Sequence, residues 1–430
     1  MIDEGTKGLR SQVAREVSHW EGAAERLDDF EGTASPSAWQ GLERYLGVTL
    51  RNELKEAREQ LKRNAAVLRA EYNAARTRAE LVRVALSVSV FKGRYLQTEL
   101  LVDFYVDAVR ARTNPELAMQ LRAFDVMAER ALSSTLAPLG KQAPPILVYL
   151  KPGIGASILR INTPLWDGSL SQVAAIKLTY HNRVRPTALL HETGHQFSAL
   201  TGWNETLARA FRDNLKSFGT GVAEQVAEWT TEIAADFFAF AHAGFAALAA
   251  LADVVSGRNA QVFRYLVGDP HPIAYLRVFL GVEMCRRFYG MGPWDDLAAA
   301  WEELHPLSAA DAEVASIIRA IMPALPRIVE IGLLMRMPCF NGKALVALVD
   351  PQRVSPGALR EMQHNAGGAL YVSSHFIWME CLRLTALSGL RYAIEPQAGR
   401  EILRQQEDWM VRLGQMSQQQ GGASQNGIAA

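Results

Sequence analysis

At 430 residues, with 49% hydrophobic and 21% charged side chains, the chain is long enough for two or three domains and has an ordinary globular composition. Lys and Arg number 45, as do Asp and Glu, so the formal charge is zero and no nucleic-acid partner is expected. Cys285, Cys339 and Cys381 form neither a CxxC pair nor a disulfide framework, which suits a reducing compartment; a cytoplasmic location is expected.

The chain opens on a polar stretch, MIDEGTKGLRSQ, without the apolar core of a secretory signal. EGTASPS (31–37) reads as a loop, and from about 38 to 138 the pattern is helical. Leu54, Leu61, Leu68, Ala75 and Val82 recur every seven residues, with Ala65, Tyr72, Ala79 and Leu86 as a second row. This heptad segment, 50–86, predicts either a coiled coil joining two copies of the chain or a helical hairpin within one, and the short Ala-rich seam favours the hairpin. Pro115 in RTNPEL starts a further helix.

After residue 141 the runs become short and rich in Ile, Leu and Val: PPILVYL, ASILRI and VAAIKLTY, punctuated by KPGIG and WDGS. These predict strands of a small sheet. A helix starting near Pro186 follows, and helices and turns continue to about 412. The most apolar stretch, 233–255, carries Asp236, His242 and Asp253, so it predicts a buried helix and not a membrane span. The Gln-, Gly- and Ser-rich end, 413–430, is expected to be disordered. The expected architecture is mainly α with a small β-sheet (α+β). It comprises an N-terminal helical region (1–140), a zincin-like catalytic core (141–310), a C-terminal helical region (311–412) and the tail.

The chemistry centres on HETGH, residues 191–195. Residues four apart share a helix face, so His191 and His195 can both aim an imidazole at one metal ion. Glu192 lies about 100° around the helix, beside the metal and free to act on a bound water. A catalytic zinc takes three protein ligands and keeps a position open for water. The spelling HExxH arises by chance in roughly one chain in a hundred of this composition, so the third ligand decides. Positions three and six past His195 hold Ser198 and Thr201, which excludes the metzincin pattern. Glu232 lies 37 residues on, with Asp236 one turn later where the helix becomes apolar. Buried carboxylates are costly unless paired or metal-bound. Glu232 is therefore the expected ligand and Asp236 the acceptor for a ligand imidazole N–H; Glu224 and Glu228, two turns and one turn earlier, are alternatives. Gly194 costs its helix about 1 kcal/mol relative to Ala, which points to a close approach near the metal.

HETGH with EIAAD resembles the gluzincin zinc peptidases, and most of all the HtpX and CAAX-prenyl endopeptidase family. DPHPIAYLR adds that family's downstream His-Pro and Arg, at His271, Pro272 and Arg277. The likeness spans about residues 170–285. It departs in lacking flanking transmembrane helices and in having Pro270 before the His-Pro. The resemblance implies a zinc endopeptidase with one Zn2+ per chain, Glu192 as general base, His271 as oxyanion donor and Arg277 supporting the ligands. It also implies peptide binding along an edge strand, for which VAAIKLTY (173–180) is the candidate. A helix cap remains open as the role of His271. A peptide or protein substrate is expected, with assembly through the heptad segment left open. The alternative is a non-catalytic interaction protein whose zinc is structural, with His271 as fourth ligand.

Overall fold

The computed structural model describes residues 4–27, 32–153, 156–159 and 173–426. The chain is mainly α-helical with one small sheet, as expected. It divides into two compact units, residues 1–115 with 161–175, and residues 116–160 with 176–430.

The first unit contains α1 (Glu4–Arg26), α2 (Pro36–Leu46), α3 (Leu50–Ala74) and α4 (Arg78–Ala111). The heptad seam is consumed inside it: Leu61, Ala65, Leu68 and Ala75 are buried with Val13 and Val17 of α1 and with Leu81, Val84, Val88 and Phe91 of α4. The hairpin is thus intramolecular, but the seam ends at Ala75. There the chain leaves α3 and restarts at Thr77, whose side chain forms a reciprocal cap with Glu80. The restart changes register, so Val82 and Leu86 face outward, 45% and 64% exposed.

The second unit takes α5 (Pro115–Leu136) from Glu116 on, β1 (Ile146–Leu150), β2 (Ser157–Leu159) and β3 (Ala174–Leu178) from Ile176 on. Then come α6 (Thr187–Thr201), α7 (Trp203–Asn214), α8 (Thr220–Glu228), α9 (Thr230–Ala243), α10 (Phe245–Val255), α11 (Asn259–Val262), α12 (Ala274–Tyr289) and α13 (Pro293–Leu304). α14 (Ala312–Ile321), α15 (Leu325–Val329), α16 (Pro356–Ala366), α17 (Ser374–Ile394) and α18 (Gly399–Asn426) complete it.

Two expected boundaries move. The first falls at 115 and not 140, because α5 buries a face from Gln120 to Leu136 and Thr135 Oγ1 hydrogen-bonds His242 of α9 at 3.0 Å. None falls near 311: Phe340 stacks on Phe197 and Trp203, at 5.5 and 5.3 Å between ring centroids, and joins the core beneath α6. The expected tail continues as helix to Asn426. Met410 and Leu413 are buried, and Gly414 lets α18 approach the Met119 carbonyl of α5 so closely that a Cβ would clash. Residues 427–430, and the expected WDGS punctuation, lie outside the described residues.

The sheet order is β1-β3-β2, which corrects the expected edge: β3 is central. Its burial, complete but for the half-buried Lys177, accounts for its largely apolar reading. β1 is closed on its outer side, where Val148 N–H donates to the Asp125 carboxylate of α5 at 2.7 Å. Among the described residues, the open edge is β2, which packs beside α6. The apolar run 233–255 forms two helices, broken at Gly244 (φ 55°), where an added Cβ would meet the Val354 carbonyl at 2.9 Å. No helix among the described residues is long and apolar enough to cross a membrane.

Candidate metal centre

The motif helix α6 starts just after Pro186 and stops at Gly202 (φ 69°), whose N–H returns to the Ser198 carbonyl. It lies against α9, and the contact is closest at Gly194. A Cβ there would stand 2.9 Å from the Ala235 Cα and the Phe238 Cβ and 3.1 Å from the Ala235 carbonyl oxygen. Helix backbones approach this closely only where a side chain is absent, which accounts for a glycine in mid-helix.

That approach brings His191 and His195 of α6 to Glu232 of α9. The Glu232 carboxylate spans the two rings, with Oε2 3.3 Å from His191 Nε2 and Oε1 3.3 Å from His195 Nε2. One ligand atom from each of the three residues falls within a 4.8 Å group. These three residues could hold a metal ion, each imidazole standing 3.3 Å from a different oxygen of the one carboxylate.

Asp236, one turn beyond Glu232, accepts from His191 Nδ1 at 2.9 Å. Once His191 gives up its second proton, this bond leaves the Nε2 lone pair for a metal ion. Arg277 of α12 grips the same carboxylate in a fork, Nε to Oδ2 at 2.6 Å and Nη2 to Oδ1 at 2.8 Å. Its Nη2 also reaches Glu232 Oε2 at 3.1 Å. Burial opposes charge on all of these groups, and the pairing outweighs it. Hydrogen bonds to Asp236 and Glu232 raise His191 to about 10, while the two imidazoles hold Glu232 well below the usual carboxylate range. Arg277 keeps Asp236 low, and Asp236 in turn keeps the guanidinium charged.

Glu192 is 6% exposed and lines the same cavity as His191 and Glu232, about 250 Å³ in volume. Burial pushes its carboxyl up, against the opposing influence of His191 and His195. The far wall of the cavity is apolar, built from Phe240, Leu248, Leu251, Val254 and Met284. His271 stands at its rim, 60% exposed at the side chain, with Nε2 3.8 Å from Glu232 Oε1.

All seven expected site residues therefore meet at one place. The two alternative ligands do not: Glu224 is paired with Arg212 at 2.8 Å, and both it and Glu228 belong to α8, which ends before α9 begins. Sequence reasoning missed Asp269. It accepts both the His271 backbone N–H at 3.0 Å and Nδ1 at 2.7 Å, and so sets the ring's orientation. The Asp-x-His spacing was the available signal. Compared with models of known protein families, with curated proteins and with solved structures, the chain matches none.

Proposed function

We propose that this protein is a zinc-dependent endopeptidase. The observation that carries the reading is the grouping of His191, His195 and Glu232, with Glu192 beside His191 and Glu232 in the lining of one partly apolar cavity. Zinc, when bound, supplies Lewis acidity towards the substrate carbonyl and a water of lowered pKa.

The chain's own residues supply the rest. Glu192, its basicity raised by burial, takes the proton of the attacking water and carries it to the leaving amine. Asp236 and Arg277 hold His191 and Glu232 in place throughout. His271, anchored through Nδ1 to Asp269, in its protonated form donates from Nε2 to the developing oxyanion. The open edge of β2, beside the motif helix, offers backbone groups to an extended peptide. The apolar wall keeps bulk water from the reacting atoms.

The test combines metal analysis with hydrolysis of a mixed peptide library. One zinc per chain is expected, with Glu192→Gln retaining the metal and losing activity about 10²- to 10⁴-fold. A Glu192→Gln protein as active as the parent would remove Glu192 from the mechanism. The second reading, a closed structural zinc site in an interaction protein, draws on the nearness of His271 Nε2 to the donor set. On that reading His271→Ala lowers zinc affinity sharply and no peptide is cut. On the peptidase reading it spares the metal and lowers turnover.

A further inference from the structure

Helix α4 is apolar on two opposite faces. Leu81, Val84, Val88 and Phe91 fill the core with α1 and α3. On the other side Ala79, Val82, Leu86, Ser89, Gly93, Leu96 and Leu100 follow one another at alternating steps of three and four residues, and every one is exposed. Val82 is 45% exposed, Leu86 64%, Leu96 46% and Leu100 57%, with Val90 beside them at 57%. Isolated exposed leucines are ordinary, but a row of them in heptad register along about 30 Å of helix is a coiled-coil seam that has no second strand among the described residues.

We propose that this seam pairs with the α4 seam of a second copy of the chain, in antiparallel orientation about a two-fold axis. The pattern is self-complementary in that direction. One register sets Val82 against Leu100 of the second copy, Leu86 against Leu96, and Ser89 against Gly93. The small pair falls at the axis, where the two helices come closest. A two-fold contact of this kind uses the same patch twice and closes on itself.

Charge selects the direction. In the antiparallel register the exposed Arg78 flanks the exposed Glu99 of the second copy. In a parallel pair it would instead flank Arg83, a like charge, and Gly93 would face Gly93 at the cost of a void. The seam is distinct from the one expected from Leu54 to Leu86. That seam is used up within the chain as far as Ala75, and only its last residues, Ala79, Val82 and Leu86, take part in the outer one.

Sedimentation of the full chain over a concentration series tests this. A concentration-dependent monomer–dimer equilibrium is expected, weakened at least tenfold by Leu86→Glu with helicity by circular dichroism unchanged. Arg78→Glu and Glu99→Arg should each weaken it, and the double reversal should restore it. Under oxidation, Val82→Cys combined with Leu100→Cys should cross-link two copies, while Leu86→Cys alone should not, with the parent and its three native thiols as control. A parent monomeric at every concentration, a dimer indifferent to Leu86→Glu, or efficient linkage through Leu86→Cys alone would each overturn the proposal.

Discussion

Gly194→Ala sets two effects of known size against each other. The added methyl favours the helix by about 1 kcal/mol. It also meets the Ala235 Cα and Phe238 Cβ at 2.9 Å, where carbon atoms prefer about 3.5–4.0 Å. Two of its three nearest neighbours are backbone atoms of α9, so no side-chain rotation relieves the clash and the helices must part by more than half an ångström. Overpacking of this kind costs about 1–3 kcal/mol. With the neighbour rigid, the upper half of that range applies, leaving a net loss of about 1–2 kcal/mol after the propensity gain. The larger consequence is at the proposed metal site. α6 carries both imidazoles and α9 the carboxylate, and ligand distances tolerate only about 0.2 Å. Zinc affinity should therefore fall at least tenfold. Urea unfolding of the metal-free protein reads the first quantity, and competition with a chromophoric chelator the second. A variant more stable than the parent, with zinc affinity unchanged, would refute the close-contact argument.

Three further expectations follow from the same geometry. Asp236→Asn removes the negative charge that orients His191 and breaks the buried ion pair with Arg277, so zinc titration should show affinity lowered about 10–100-fold and urea unfolding a loss of about 3–5 kcal/mol. His191 is held protonated to about pH 10 in the metal-free site, and a ligand imidazole must be neutral. Binding should therefore release a proton and strengthen about tenfold per pH unit up to that value, as read by calorimetry in buffers of different ionisation enthalpy; an affinity flat through neutral and mildly alkaline pH contradicts this. His242 is lowered to about 3, by burial first and then by Arg353, whereas an unfolded His titrates near 6.5. Below about 6.5 only the unfolded chain takes the proton, so stability is lost as pH falls towards 3, by up to about 1.4 kcal/mol per unit; His242→Asn should abolish that part of the slope, and parallel pH curves for the two proteins would contradict it.

The candidate site was legible because its chemistry is written in local spacings. The four-residue step from His191 to His195 sets one helix face, and the step from Glu232 to Asp236 sets another. Acid groups inside the apolar stretch 233–255 are expensive enough to advertise a partner. What local spacing does not carry is the pairing of distant elements. β3 is central because it pairs with both β1 and β2, while Asp125 meets the far side of β1 in a contact across 23 residues that no periodicity records. The continuation of the heptad from Ala75 to Val82 was read correctly as apolar pattern and wrongly as one seam. The chain turns at Ala75–Thr77 and restarts as a new helix, so the seven-residue step from Ala75 to Val82 does not stay on one face, and only the packed structure shows which face of α4 looks inward. α18 was misjudged for a related reason: Gln and Gly suggest disorder by composition, while Leu413 and Gly414 dock on α5 by shape.

The contact between α6 and α9 also bears on how the chain folds. His191 and Asp236 are 45 residues apart, and only the short helices α7 and α8 lie between their two helices. The entropy of closing a loop grows only logarithmically with its length, so a segment of this size closes cheaply compared with bringing Phe340 or α17 into the same core from more than a hundred residues away. The ligand-bearing pair can therefore form early, as a local unit, with the later helices condensing onto it. Substitutions at Gly194 would then slow folding, whereas those at Phe340 would chiefly speed unfolding.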